Sequence, residues 1–123
     1  MREFQECFEE YGANYQATMG RFMGNEALYL RLLDMLFEDD SLQRLGDALD
    51  ADDKNGAFEA AHTLKGVVGN LGLTPLYHAL EKIVAPLRVG EKRSDYRALY
   101  QAIQSEVQRA NEFQEKLKGG ESK

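Results

Sequence analysis

Residues 55–72 read NGAFEAAHTLKGVVGNLG, and the spacing of side chains along this stretch decides the fold. An α-helix turns about 100° per residue. With His62 set at zero, Ala57, Ala60, Ala61, Leu64, Val67, Val68 and Leu71 fall in one arc on the far side. Phe58, Lys65, Gly66 and Gly69 gather with His62 on the near side. The stretch is therefore an amphipathic helix whose apolar arc faces a core and whose other face carries a solvent-exposed histidine at mid-helix. The spacing predicts this helix from about Lys54 to Asn70, after the loop signal DDKNG (52–56) and with Gly72 as its stop.

Working outward, Thr74-Pro75 predicts the start of the next helix, with Thr74 as cap and Pro75 in the first position. It should run to about Val89, stop at Gly90 and bend near residues 82–86, because Pro86 lies inside it. Ser94 or Asp95 caps a last helix that ends near Leu117, followed by the polar tail KGGESK (118–123). Upstream, Leu42, Leu45 and Leu49 mark another helix. Asn25 caps a helix whose Leu28, Leu30, Leu32, Leu33, Met35, Leu36 and Phe37 form a broad apolar stripe, which predicts deep burial. Phe4, Cys7, Phe8 and Tyr11 are at helical spacing up to Gly12, and ANYQATMGRFM (13–23) reads as a second short helical piece.

Short links make sequential helices antiparallel neighbours. The expected fold is all-α: an antiparallel up-down-up-down four-helix bundle with additional N-terminal helical segments against one end or side. Its length of 123 residues fits a single domain, expected over 1–118, with a flexible C-terminal tail at 119–123. A hydrophobic share of 43% against 29% charged residues is that of an ordinary globular protein rather than a disordered one. The formal charge of −6 comes with no basic stripe, which argues against nucleic acid and against an anionic membrane surface. No apolar run approaches the roughly 20 residues that span a bilayer. The acidic N-terminus is unlike a secretory signal, and Cys7 is alone, so no internal disulfide framework exists. These features point to the cytoplasm, and a monomer is expected.

The near face of the helix is chemically pointed. Each interior glycine costs a helix about 1 kcal/mol relative to alanine. Gly66 and Gly69 accept that cost on the histidine's own side. Either they clear space for another protein to reach the imidazole, or they let a neighbouring helix approach. Lys65, three residues after His62, is its surface neighbour and can pair with phosphoryl oxygens bound to the ring. Phe58, four residues before, is either a docking contact for a partner or a ring folded over the helix edge.

Other signals fail. DADDKNG (50–56) puts Lys54 and Asn55 at the fifth and sixth positions of a calcium loop and Ala61 at its twelfth. His78 and Glu81 form a helical pair, but no second His motif accompanies them, so no metal is expected. GVVGNLG (66–72) is not a nucleotide loop, and no ATP-binding motif is present.

The string AAHTLKG (60–66), followed by Leu71-Gly72, resembles the histidine-containing phosphotransfer (HPt) domain family and the His-x-x-Lys-Gly motif of the related phosphoacceptor domain of chemotaxis kinases. The resemblance implies that His62 is a phosphoacceptor, that Lys65 stabilises the phosphoryl group and that Gly66 gives a receiver access. It implies docking over Phe58 and Gly69, with response-regulator receiver domains and a sensor histidine kinase as partners. It also implies a phosphoryl carrier without kinase activity or cofactor of its own. One departure stands out. Where many members of the family carry a Gln or Glu on the following helix, this chain has Val84 with Ala85 next; Glu81 and Arg88 are the possible substitutes. That departure favours a rival, a non-phosphorylated helical-bundle module that binds receiver or kinase domains. A metal or redox bundle is a second rival.

Overall fold

The computed structural model describes residues 3–122, with the side chains of residues 120–122 outside the description. Seven helices follow one another along these residues: α1 Phe4–Tyr11, α2 Tyr15–Arg21, α3 Glu26–Glu38, α4 Ser41–Asp50, α5 Lys54–Asn70, α6 Thr74–Arg88 and α7 Tyr96–Ser122. Among the described residues there is no strand. Helix α4 packs on α5, α5 on α6, α6 on α7, and α7 returns to touch α4, which closes a four-helix bundle. The all-α bundle expected from the periodicity is the fold observed.

Polar caps set the starts of the helices. The side chains of Asn14, Asn25 and Asp53 accept the N–H groups of Ala17, Leu28 and Gly56, at 2.9, 3.0 and 3.0 Å. Thr74 does not cap α6 as expected. Leu73 is the N-cap, and the Thr74 hydroxyl donates back to the Gly72 carbonyl at 3.4 Å. Helix α6 continues as one helix through the buried Pro86 to Arg88. Helix α7 extends past the expected Leu117 to Ser122, so the backbone of the tail is helical as far as that residue; residue 123 lies outside the described residues.

Small side chains draw the helices together. Ala57, Ala60 and Ala61 on α5 are buried, as are Leu64 and Val68. Gly46 on α4 lies against Tyr100 of α7; a Cβ there would come within 2.8 Å of the ring's Cζ. The Tyr100 hydroxyl donates to the Leu42 carbonyl at 3.1 Å, which ties α7 to α4.

The N-terminal helices join the bundle through aromatic contacts. Phe8 and Tyr11 of α1 meet Phe113 of α7, edge-on at 5.0 Å and stacked at 4.6 Å between centroids. Helix α3 is less deeply buried than its sequence predicts. Tyr29, Leu33 and Leu36 are buried, while Met35 is 59% exposed and Leu28, Leu30, Leu32 and Phe37 are only partly covered. The reason is placement: α3 lies along the outside of the bundle against α7, so part of its broad stripe has no neighbour.

Candidate functional site

The end of α5 is fixed by its turn. The N–H of Leu73 reaches the Val68 carbonyl at 3.2 Å and that of Gly72 the Gly69 carbonyl at 3.1 Å, with Gly72 in the left-handed region at φ 69°. This Schellman closure reverses the chain into α6. A Cβ on Gly72 would stand 2.9 Å from Cβ of Thr18, so α2 presses directly on the turn.

His62 is exposed at mid-helix, as its face predicts. Neither of its ring nitrogens has a hydrogen-bond partner among the described residues. Its ring lies parallel to Phe58, with centroids 5.3 Å apart and planes 9° from each other. Phe58 is half-buried and packed against the core, and the Arg88 guanidinium lies over its ring at 5.3 Å. The ring is thus folded in part over the helix edge and lies in part beside the histidine.

Lys65 is partly buried, with its ammonium over the Tyr77 ring of α6 at 5.3 Å. Among the described residues it makes no ion pair, so its charge is not neutralised by a carboxylate. The two glycines divide between the two readings. A Cβ on Gly66 would meet nothing within 4 Å, which is open clearance. A Cβ on Gly69 would lie 3.0 Å from Cε1 of Tyr77, which is close helix approach. Val67, placed on the core-facing arc by the helical wheel, is 43% exposed. It lies at the margin of that arc, about 140° from His62, beside a shallow apolar groove that also holds Met35.

His62 stands on a ridge between two concavities. One, of about 630 Å³, is walled by Ala17 and Arg21 of α2, Lys65, Gly66 and Gly69 of α5, and Tyr77 of α6. The other, of about 610 Å³, lies toward α4 and is edged by Arg44, Asp47, Glu59 and Thr63. Arg21 donates to the Asn70 carbonyl at 2.9 Å and the Gly69 carbonyl at 3.5 Å, which places a cation at the negative end of α5.

Tyr77 and Arg21 escaped the sequence reading. Tyr77 shares one stripe of α6 with Glu81, Val84 and Arg88, and that periodicity could have exposed it. Arg21 reaches the site only through the tertiary placement of α2, for which no local signal exists. The Gly69–Tyr77 and Phe58–Arg88 contacts fix the antiparallel register of α5 on α6 and bring Val84 level with His62. Val84 is 1% exposed, so at this level α6 offers an apolar side chain directed into the core. Of the two possible substitutes, Glu81 is engaged with His78 at 3.0 Å and Arg88 with Phe58.

Among the described residues no group of three His, Cys, Asp or Glu side chains is placed to hold a metal ion. No described helix is long and apolar enough to cross a membrane. His78 is on the surface.

Comparison with known families agrees with this geometry. Neither the curated proteins nor the solved structures give a match to the chain. The family model of the Hpt domain matches residues 31–113, more than half of the sequence and the whole of α4, α5 and α6. Hpt domains are helical phosphocarrier modules that work with receiver domains and kinases in two-component signalling. The exposed histidine on a bundle helix and the matched region coincide, and the chain belongs to the Hpt domain family.

Proposed function

We propose that this protein carries a phosphoryl group reversibly on His62, taking it from a receiver-domain aspartyl phosphate or a kinase and passing it to a response regulator. One observation supports this above the rest: an exposed imidazole beside an ammonium without an ion pair and open space at Gly66. A neutral ring nitrogen is a competent nucleophile. As the Nε2–P bond forms, the P–O bond to the receiver's aspartate breaks. The carboxylate leaves with the electron pair, and Nδ1 keeps its proton. Lys65 offsets the negative charge gathering beside it. The receiver docks over Phe58, Gly66 and the Tyr77-covered Gly69, and the carrier meets it as a monomer in the cytoplasm.

The test is incubation with a phosphorylated receiver. Acid-labile phosphate should appear on the protein and be absent from His62→Gln. A second reading, binding of receivers or kinases without accepting phosphate, is favoured by the buried Val84 at the level of the histidine. It predicts a stable complex with no label in the same experiment.

A further inference from the structure

A nucleophilic ring nitrogen holds its lone pair in the plane of the imidazole. Phosphorus must therefore arrive in that plane, in line with the departing oxygen. A histidine inside a helix ranges over two χ1 wells, since the third clashes with the preceding turn, and about two χ2 wells, about four orientations in all. Some contact has to select among them.

In this protein no hydrogen bond does so among the described residues. Level with His62, α6 contributes the buried Val84 and then the exposed Ala85, neither of which can bond to the ring. The contact that remains is the parallel stack on Phe58, one helical turn earlier, at 5.3 Å and 9°. Phe58 is itself held in place, by the core beneath it and by the Arg88 guanidinium over its ring.

We propose that Phe58 is the positioning residue of the site: its ring selects the His62 rotamer and fixes the plane in which Nε2 meets the phosphoryl group. The stack occupies one face of the imidazole and leaves its edge free, and the clearance at Gly66 keeps the histidine's surroundings open. Arg88 acts on the ring through Phe58 rather than by touching it. This inference rests on the carrier reading above and adds to it the device that orients the acceptor.

The experiment is single-turnover transfer from a phosphorylated receiver to the full chain, over a range of receiver concentrations, with Phe58→Leu, Phe58→Met and Phe58→Tyr. Side-chain coupling constants of His62 are measured by NMR on the same proteins. Phe58→Leu and Phe58→Met should lower the saturating rate about two- to fourfold, the range set by freeing the ring over its four orientations. Because Phe58 also lies in the docking surface, a rise in the half-saturating concentration reports docking and is read separately from the fall in saturating rate. Phe58→Tyr, which keeps the aromatic plane, should restore the wild-type rate. The couplings should show one rotamer in the wild type and in Phe58→Tyr, and averaging in the other two. Two apolar replacements guard against one that folds poorly. An unchanged saturating rate overturns the proposal, as does a rise in half-saturation alone, which would make Phe58 a docking contact only. A wild-type protein that takes no phosphate refutes the carrier reading instead. The orientation claim is then decided by the couplings, and a wild-type ring that averages over its rotamers overturns it.

Discussion

Gly66→Ala separates what α5 needs for stability from what its exposed face needs for access. Gly66 lies inside α5, outside the left-handed region, and an added Cβ meets nothing within 4 Å. No clash opposes the substitution, so it should gain the full helix-propensity difference of about 1 kcal/mol. For a domain of this size that raises Tm by roughly 3–6 °C. The same methyl group stands one turn from His62, in the space a partner has to enter. Crowding a close-packed contact by one methyl costs about 1–3 kcal/mol. At 1.4 kcal/mol per decade, second-order transfer from a phosphorylated receiver should fall by roughly five- to 140-fold. Gly66→Leu should fall further while remaining folded. Gly69→Ala is the internal control. Its Cβ would meet Tyr77 at 3.0 Å, so the propensity gain is offset by displacement of that ring and the melt should barely move. Thermal melts by circular dichroism and quenched transfer assays read the two effects. If Gly66→Ala melts higher and transfers at the wild-type rate, the clearance argument is wrong; if it melts lower, the open space has been misread.

Lys65→Gln loses the cation–π contact with Tyr77 and should cost about 0.5–1 kcal/mol in the melt. It should lower the transfer rate about tenfold, with Lys65→Arg recovering part of it, and equal rates for all three proteins would remove Lys65 from the reaction. Gly72→Ala combines a φ of 69° with a Cβ only 2.9 Å from that of Thr18. It should cost about 2–4 kcal/mol in urea unfolding, and a loss below about 1 kcal/mol would mean that α2 does not press on the turn. The Asp39 carboxylate accepts the Ser41 N–H at 2.7 Å, and its hydrogen bonds to Ser41 hold it below the usual carboxylate range. The unfolded chain takes up that proton first as pH falls, so the contribution is complete above the unfolded carboxylate value and disappears as pH drops through the folded one. Asp39→Asn should therefore show a shallower acid loss of Tm below about pH 4 than the wild type, and identical slopes would exclude Asp39 as a source of acid sensitivity.

What the sequence made legible follows from where the physics is local. The period of α5 placed His62 on the open face and Ala57, Ala60, Ala61, Leu64 and Val68 in the core, because both outcomes depend only on angles about one axis. The same wheel misplaced Val67, since the margin of an arc is covered or left open by whichever neighbour lies there. It overstated the burial of α3 for the same reason: apolar content says that a helix can be buried, and only packing says on how many sides. Thr74 looked like a cap by residue type, yet the Schellman closure uses the preceding residues and moves the helix start by one position. Tyr77 lies on a readable stripe of α6, while Arg21 reaches the site only through the placement of α2, far away in the chain, which no local pattern encodes.

The family match begins at residue 31, yet the helix bearing His62 is completed by residues before it. A helix C-terminus leaves carbonyls without partners. At the end of α5, Arg21 takes that of Asn70 and adds a longer contact to that of Gly69, already bonded by the Gly72 N–H, and the Tyr29 hydroxyl donates to that of Leu71 at 2.6 Å. Both side chains precede the matched region, as does Thr18, which fills the space a side chain at Gly72 would need. Two consecutive carbonyls at the α5–α6 turn, those of Asn70 and Leu71, are thus satisfied from α2 and α3. The turn sets how α6 returns along α5, and so whether Tyr77 meets Lys65 and Gly69 and whether Arg88 meets Phe58. The N-terminal helices accordingly do more than lie against the bundle. Ala17 and Arg21 wall the larger concavity beside His62. On the carrier reading, a receiver approaching from that side meets α2 together with the histidine, which makes the wall a part of the docking surface that lies outside the family's shared region.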